Sequence, residues 1–241
     1  MAQTRSNTFW IYAAALICLI AVGFYMFSKS DFFNVKEVRT EGLSNVTANE
    51  VLQLLGTVKG ENIFLTDTEA LAMKVKLHPL IDQVQVKKEL PATLVVKVQE
   101  RVPVAMILTG DGVVVVDLQG VILKFYDSWP AEDNPVLTGI EVPETIGPGQ
   151  KIDNVNLNKA LLLLGQAPAE LLPLIGEVHS TTDGQVSLYM TSGIEVKIGF
   201  DVEFTEKLKL LQELLNSEEY KTVEKAIKYI DLTAGKPVLG R

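Results

Sequence analysis

The chain opens on an unbroken apolar run. From Phe9 to Phe27 no position is charged: Phe9-Trp10-Ile11-Tyr12, then Ala, Leu, Ile, Cys and Val, then Phe24-Tyr25-Met26-Phe27. As a helix this stretch rises ~28 Å, close to the hydrocarbon thickness of a bilayer. Trp10 and Tyr12 stand at one end and Tyr25 at the other, where interfacial aromatics belong. The pattern predicts a transmembrane helix over 9–28. Buried core helices are usually shorter, and the run exceeds the apolar region of a cleaved signal peptide, although Ser28-Lys29-Ser30 offers a weak small-x-small site. Cys18 lies mid-run with no small-residue box before it, which argues against a lipid-anchored precursor. The expectation is a short cytoplasmic segment, 1–8, with the folded part on the extracytoplasmic side. The flanking charges, Arg5 before the run and Lys29, Asp31 and Lys36 after it, nearly balance and do not set orientation by themselves.

Beyond a short linker the period changes. Asn34 to Thr40 alternates as a half-exposed strand and breaks at Glu41-Gly42-Leu43. Thr47-Ala48-Asn49-Glu50 is a capping box, followed by Val51, Leu52, Leu54 and Leu55 on one helical face and Gly56 as a stop. A second box, Thr66-Asp67-Thr68-Glu69, starts a helix to about Lys76, and Pro79 lies beyond it. Two strands then alternate around a turn at Pro91-Ala92. In the first, Ile81, Gln83, Gln85 and Lys87 share one face and Val84 and Val86 the other; the second is Thr93 to Glu100. The order is β-α-α-β-β over residues 33–104.

A second region begins near Ala105. Val113–Asp117 and Val121–Phe125 flank Leu118-Gln119-Gly120, a hairpin signal. Residues 126–150 are rich in Pro and Gly and read as loop. A short helix, Asn156–Gln166, precedes three strands at Ile175–Thr181, Gln185–Met190 and Ile194–Phe200, separated by Asp183-Gly184 and Ser192-Gly193. Phe204, Leu208, Leu211 and Leu215 mark an amphipathic helix over about 203–216, and Lys225–Leu232 reads as a final strand. The tail, 233–241, carries two Gly and a Pro and is expected to fray. The fold class is α+β: a membrane helix, a β-α-α-β-β domain (33–104), a mostly antiparallel β domain with flanking helices (105–232), and a flexible tail.

Charge sharpens the division. Residues 33–104 hold nine Lys/Arg and nine Asp/Glu, whereas 105–241 hold eleven and twenty. An acidic distal domain is repelled by phosphate backbones and anionic headgroups, so nucleic acid is not an expected partner. The single Cys excludes an intrachain disulfide and a Cys-based zinc site. His78 and His179 lie a hundred residues apart and read as loop or surface residues. There is no G-x-S-x-G elbow, P-loop or G-x-G-x-x-G; Gly147-Pro148-Gly149 does not lead from a strand into a helix. Glu132-Asp133 and Glu218-Glu219 read as solvated faces. Neither an enzyme nor a cofactor or metal site is expected.

What remains is sheet edges, whose unpaired N–H and C=O groups can accept a partner strand. The last predicted strand, Lys225–Leu232, has only the tail after it to cover it; Lys225 and Lys228 could equally blunt it.

At this point the residues resemble a known family. Pro79-Leu80-Ile81-x-x-Val84-x-Val86-Lys87-Lys88-x-Leu90-Pro91-x-Thr93-Leu94-x-Val96-x-Val98-x-Glu100-Arg101-x-Pro103-Val104-Ala105 is similar to the second half of the POTRA domain of FtsQ/DivIB cell-division proteins. Phe33-Asn34-Val35-Lys36-x-Val38-x-x-x-Gly42 and Gly60-x-Asn62-Ile63-Phe64 resemble its first half. Val116-Asp117-x-x-Gly120-Val121, Leu137-Thr138-Gly139, Lys207-Leu208-x-x-Leu211 and Tyr229-Ile230-Asp231-Leu232 follow in the family's order. The resemblance implies a non-enzymatic bitopic scaffold of the inner membrane at the division septum, its N-terminus cytoplasmic. It implies that the last β-strand receives a strand from an FtsB/DivIC-type partner, with an FtsL-type protein alongside. Carried over, the docking residues are Tyr229, Ile230, Asp231, Leu232, Thr233 and Ala234, and a recruitment surface on the POTRA domain is Val86, Lys88 and Glu100. Many relatives continue Asp-Leu-Arg-aromatic, where this chain has Asp231-Leu232-Thr233-Ala234; backbone pairing must then carry more of the affinity. POTRA domains also serve transport and envelope-assembly factors, the competing reading. Those proteins carry a long run of barrel strands, which residues 105–241 do not offer.

Overall fold

The computed structural model describes residues 4–143, 145–200 and 203–241, with side chains from Phe9 onward. Of the expected cytoplasmic segment 1–8, residues 1–3 lie outside the described residues and helix α1 already begins at Thr4 (Thr4–Ser28). From Phe9 to Ser28 it is long and apolar enough to cross a membrane, with its side chains turned outward. The chain divides into two compact units, Met1–Glu100 and Arg101–Arg241.

In the first unit, strand β1 (Glu37–Glu41) precedes helices α2 (Ala48–Leu55) and α3 (Thr68–Val75), then strands β2 (Ile81–Glu89) and β3 (Thr93–Glu100). The sheet order is β1-β3-β2, with β1 parallel and β2 antiparallel to the central strand. The capping box at α2 is fully formed. Thr47 Oγ1 accepts from the Glu50 N–H and the Glu50 carboxylate accepts from the Thr47 N–H. At α3 the cap is Asp67 rather than Thr66. Asp67 Oδ1 accepts from the N–H groups of Glu69 and Ala70, while Thr66 Oγ1 donates to the Asn62 carbonyl. A carboxylate accepts two orphan N–H groups where a hydroxyl one residue earlier is already engaged. A register shift between Ile81 and Gln83 corrects the predicted faces of β2. The irregularity turns Ile81 inward, so that it joins Val51, Leu55, Leu94 and Val96 in the core.

In the second unit the elements are β4 (Ala105–Leu108), β5 (Val113–Val116), β6 (Ile122–Tyr126), β7 (Val136–Thr138), α4 (Val155–Gln166), β8 (Ile175–Ser180), β9 (Val186–Met190), β10 (Glu195–Gly199), α5 (Thr205–Asn216), α6 (Glu218–Val223), β11 (Tyr229–Asp231) and β12 (Val238–Gly240). Among the described residues the strands form one sheet in the order β12-β11-β10-β9-β8-β7-β4-β5-β6. Neighbours are antiparallel except β4–β7, β7–β8 and β10–β11. The β7–β8 and β10–β11 pairs need crossover connections. The first crossover carries α4 and the second α5 and α6. Leu157, Leu161 and Leu164 of α4 and Leu208 and Leu211 of α5 meet Val178, Leu188, Val196 and Ile230 in one core.

Three expectations change here. Strands β4 and β7 were not predicted: four and three residues long, they are too short to carry a period. The final strand begins at Tyr229 rather than Lys225, because residues 218–226 are helical. Ser217 Oγ accepts from the Tyr220 N–H, and the Tyr220 side chain is buried. The tail does not fray; it forms β12.

The β5–β6 turn is organised by one carboxylate. Asp117 Oδ1 accepts from the N–H groups of Gln119 and Val121, each at 2.9 Å, and Oδ2 accepts from Arg101 Nη1 at 2.5 Å. Both partners of this ion pair are largely buried. Removing the carboxylate takes a buried charge partner from Arg101 and leaves the Gln119 and Val121 N–H groups without their acceptor. Asp117→Ala is therefore expected to lower the opening free energy of the second unit by about 3 kcal/mol. Hydrogen exchange should show faster exchange at amides of β5, β6 and β8 to β10, with β2 and β3 unchanged.

Candidate functional site

A sheet that does not close on itself ends in strands with unpaired main-chain groups, and this protein handles its four strand edges differently. In the first unit the outer strands carry charge. Arg39 of β1 pairs with Glu37 and Glu89, Lys97 pairs with Glu41, and β2 ends in Lys87, Lys88 and Glu89. In the second unit β6 is partly covered by its own chain: the Ile122 N–H donates to Gln150 O, Gly149 N–H donates to Ile122 O, and Val121 bridges Lys151. At the opposite end β12 has no strand on its outer side among the described residues, and its first two side chains are Val238 and Leu239.

This arrangement corrects the predicted edge. Strand β11 is paired on both sides, parallel to β10 and antiparallel to β12, in the register Tyr229↔Gly240, Ile230↔Leu239, Asp231↔Val238. The rim at Tyr229–Leu232 is therefore sealed by the tail, and Ile230 and Leu232 are wholly buried. The Gly and Pro that suggested fraying instead make a turn. Asp231 Oδ1 accepts from the Thr233 N–H at 2.8 Å and from Thr233 Oγ1 at 2.6 Å. The Gly235 N–H then donates to Leu232 O, with Gly235 at φ +77°. An Asx-type turn followed by a left-handed glycine reverses the chain. The Thr233 hydrogen bonds hold the Asp231 carboxyl below the usual carboxylate range. Thr233 and Ala234 are exposed on that turn.

Register also fixes which side chains stand together. The row Val178, Leu188, Val196, Ile230, Leu239 faces the helices, and it is buried until its last member, which is 38% exposed. The opposite face carries Glu177, Tyr189, Glu195, Tyr229 and Gly240 in one row, and His179, Ser187, Lys197, Asp231 and Val238 in the next. The Tyr229 ring lies directly over Gly240, where an added Cβ would fall 2.0 Å from Cε1, and Lys197 Nζ sits 4.6 Å from the ring centroid. An aromatic ring laid across an edge glycine fills the place of the missing side chain. His179 is on this face of β8; its Nδ1 is 2.7 Å from Thr138 Oγ1, which donates to Glu177 at 2.5 Å. A hydroxyl has one proton, so with that proton given to Glu177 the imidazole donates to Thr138.

The residues expected to form a recruitment surface lie elsewhere and are engaged internally. Val86 is buried in the core of the first unit. Lys88 Nζ donates to the Phe64 carbonyl at 3.2 Å. Glu100 accepts from the N–H groups of Ser44, Asn45 and Val46 at 2.6 to 3.0 Å and from Asn45 Nδ2, and so fastens the segment that leads into α2. Burial pushes this carboxyl up, but the hydrogen bonds from Ser44, Val46 and Asn45 outweigh it and hold it below the usual range. Sequence reasoning missed β12 itself. The available signal was Asp231-x-Thr233 followed by Gly235 and the β-formers Val238-Leu239. Among the described residues no cluster of His, Cys, Asp or Glu could hold a metal ion.

Two family models match the chain. One, "POTRA domain, FtsQ-type", covers residues 33–101, and the other, "Cell division protein FtsQ/DivIB, C-terminal", covers residues 105–233. The chain is 32% identical over 221 residues to the cell division protein FtsQ of Anaeromyxobacter sp. (strain K), spanning 90% of this chain and 74% of that one. It is 26% identical over 233 residues to FtsQ of Syntrophotalea carbinolica, spanning 94% and 81%. A solved structure of the major extracytoplasmic domain of the cell division protein DivIB from Geobacillus stearothermophilus is 21% identical, spans 54% of this chain and 99% of that one, and superposes with a TM-score of 0.35.

Because the Glu100 carboxyl is lowered on folding, its stabilisation is present above the unfolded-state value and is lost as pH falls through the folded-state value. Glu100→Gln is expected to destabilise the first unit by about 1 kcal/mol at neutral pH, a figure already reduced for partial exposure. The difference from the parent should vanish in thermal melts taken well below about pH 4.

Proposed function

The chain belongs to the FtsQ/DivIB family of cell division proteins, and on that premise we propose a non-enzymatic membrane scaffold of the septum that takes up FtsB/DivIC-type and FtsL-type partners at the outer edge of β12. In this reading α1 spans the inner membrane once, the N-terminus is cytoplasmic, and both folded units lie outside the cytoplasm. The single observation that carries the docking site is the state of β12: among the described residues it ends a nine-stranded sheet and is paired on one side only, with Val238 55% and Leu239 38% exposed. A partner segment in extended form adds as a tenth strand. Main-chain hydrogen bonds provide affinity, and side chains alternate between the two sheet faces. An apolar residue opposite Leu239 would complete the row that runs from Val178 through Ile230.

Charge adds a second requirement on the partner. Within an acidic unit, residues 225–241 hold Lys225, Lys228, Lys236 and Arg241 against one acid, Asp231. A strand with acidic flanks meets that local excess favourably, and its association rate falls with salt. The competing transport reading gains no support from the sheet. Its described strands are three to six residues long, short of the roughly nine to eleven that a membrane-crossing barrel strand needs.

Truncation after Lys236 in the full chain, held in nanodiscs and titrated with a purified FtsB/DivIC-type partner, separates the possibilities. Loss of binding with the melt of the second unit nearly unchanged is the expected result. Tighter binding would mean that the partner adds to β11 and that β12 is a plug which it must displace. Unchanged binding would remove the strand-addition mechanism altogether.

A further inference from the structure

The end of α1 is not joined to the first unit by a free linker. The Ser28 carbonyl accepts a hydrogen bond from Asn62 Nδ2 at 2.8 Å, and Asn62 Oδ1 accepts from the Phe64 N–H at 3.0 Å. The Ser30 N–H donates to Phe27 O, and a single 3-10 turn, Asp31–Phe33, follows at once. Four aromatic rings bridge the junction. Phe27, the last ring of the apolar run, lies 5.1 Å from Phe33 edge to face and 6.1 Å from Phe32, and Phe33 lies 4.9 Å from Phe64. Only Phe33 belongs to the core of the unit. Phe32 is 52% exposed, Phe64 44% and the adjacent Leu65 75%.

These exposed groups are continuous with the lipid-facing surface of α1. The interfacial layer of each leaflet is roughly 5–8 Å deep beyond the hydrocarbon; Phe32 stands one ring-to-ring step of 6.1 Å from Phe27 at the helix end, and Phe64 follows in two steps of 5.1 and 4.9 Å through Phe33. Amphipathic surfaces seat apolar side chains at this depth, with cations at their rim. Here Lys29 Nζ stands 4.8 Å from the Tyr25 ring centroid at the end of α1 and Lys88 Nζ bonds the Phe64 carbonyl. We propose that Phe32, Phe64 and Leu65 form a lipid-interface patch, inserted at the boundary of headgroups and acyl chains, which seats the first unit on the membrane surface beside its anchor. This rests on the reading of α1 as a membrane-spanning helix. It gives Lys88 a role at anionic headgroups rather than at a protein partner.

The test uses the full chain alone in nanodiscs of phosphatidylcholine and phosphatidylglycerol, with and without lipids brominated near the headgroup end of the acyl chain. The chain has two tryptophans, Trp10 and Trp129. With both replaced by Phe, Leu65→Trp gives a single reporter on a side chain that contributes nothing to the core. Blue-shifted emission, loss of intensity in the brominated discs and protection from acrylamide are expected. Emission indifferent to bromine overturns the patch, provided that Trp10 in a Trp129→Phe chain is quenched; shielding from acrylamide without bromine quenching counts the same way. If Trp10 also escapes quenching, the spanning helix is refuted and the patch falls with it. Should circular dichroism show Leu65→Trp to be misfolded, Phe32→Trp reads the same surface with the same outcomes.

Discussion

Main-chain hydrogen bonding at the rim of an open sheet is the constraint on which this protein is built. Every N–H and C=O removed from water needs a partner, and a sheet of nine strands has two rims to provide for. One rim is covered at its start by the protein's own segment Gly149–Lys151, which bonds Ile122 and bridges Val121. The other is extended by folding the tail back as β12, which moves the unpaired row outward by one strand without removing it. The rims of the first unit are armed with charge. Among the described residues, an edge with Val238 and Leu239 on it and no covering segment is the exception, and natural sheets seldom leave such edges unguarded.

Two carboxylates, one of them first read as part of a recruitment surface, are builders of loops. Glu100 collects the N–H groups of Ser44, Asn45 and Val46, and Asp117 those of Gln119 and Val121 while holding Arg101. In both cases the acid lies at or just beyond a strand end and organises a turn whose amides would otherwise be unsatisfied. Asp231 does the same on a smaller scale at Thr233. An acid at a strand end therefore has a folding role to discharge before a binding role can be assigned to it. For Glu100, the hydrogen bonds it makes among the described residues run inward to its own unit.

What the amino-acid order made legible follows from how local each signal is. The Thr47–Glu50 capping box, the alternation of β3 and the Leu208–Leu211 stripe of α5 are written within a few residues, and the structure matches them. The cap at α3 turned on one residue, because Thr66 and Asp67 are both competent and only the engagement of Thr66 with Asn62 decides between them. The faces of β2 depended on a single irregularity after Ile81. Strands β4, β7 and β12 hold three or four residues each and exist because a neighbour is there to pair with, information that is not local. The β12 edge suffered most from this. A turn signal at Asp231–Gly235 precedes β12, and read without its partner strand that signal looks like disorder.

The same shortness bears on how the edge works. Three paired residues cannot hold a strand by themselves, since isolated two-stranded pairings are marginal in water. Strand β12 is held in addition by the Asp231–Thr233 turn and by the Tyr229 ring, which lies across Gly240 under Lys197. These contacts fix its register but leave it the least supported strand of the sheet, and segments of that kind open at low free-energy cost. A partner that pairs along the outer side would turn β12 into an interior strand, bonded on both sides. Ordering of the tail and capture of the partner would then be one linked equilibrium, each favouring the other by the same factor. Tyr229, predicted as a point of contact, acts in this scheme from the second strand inward, by holding in place the strand that makes the contact.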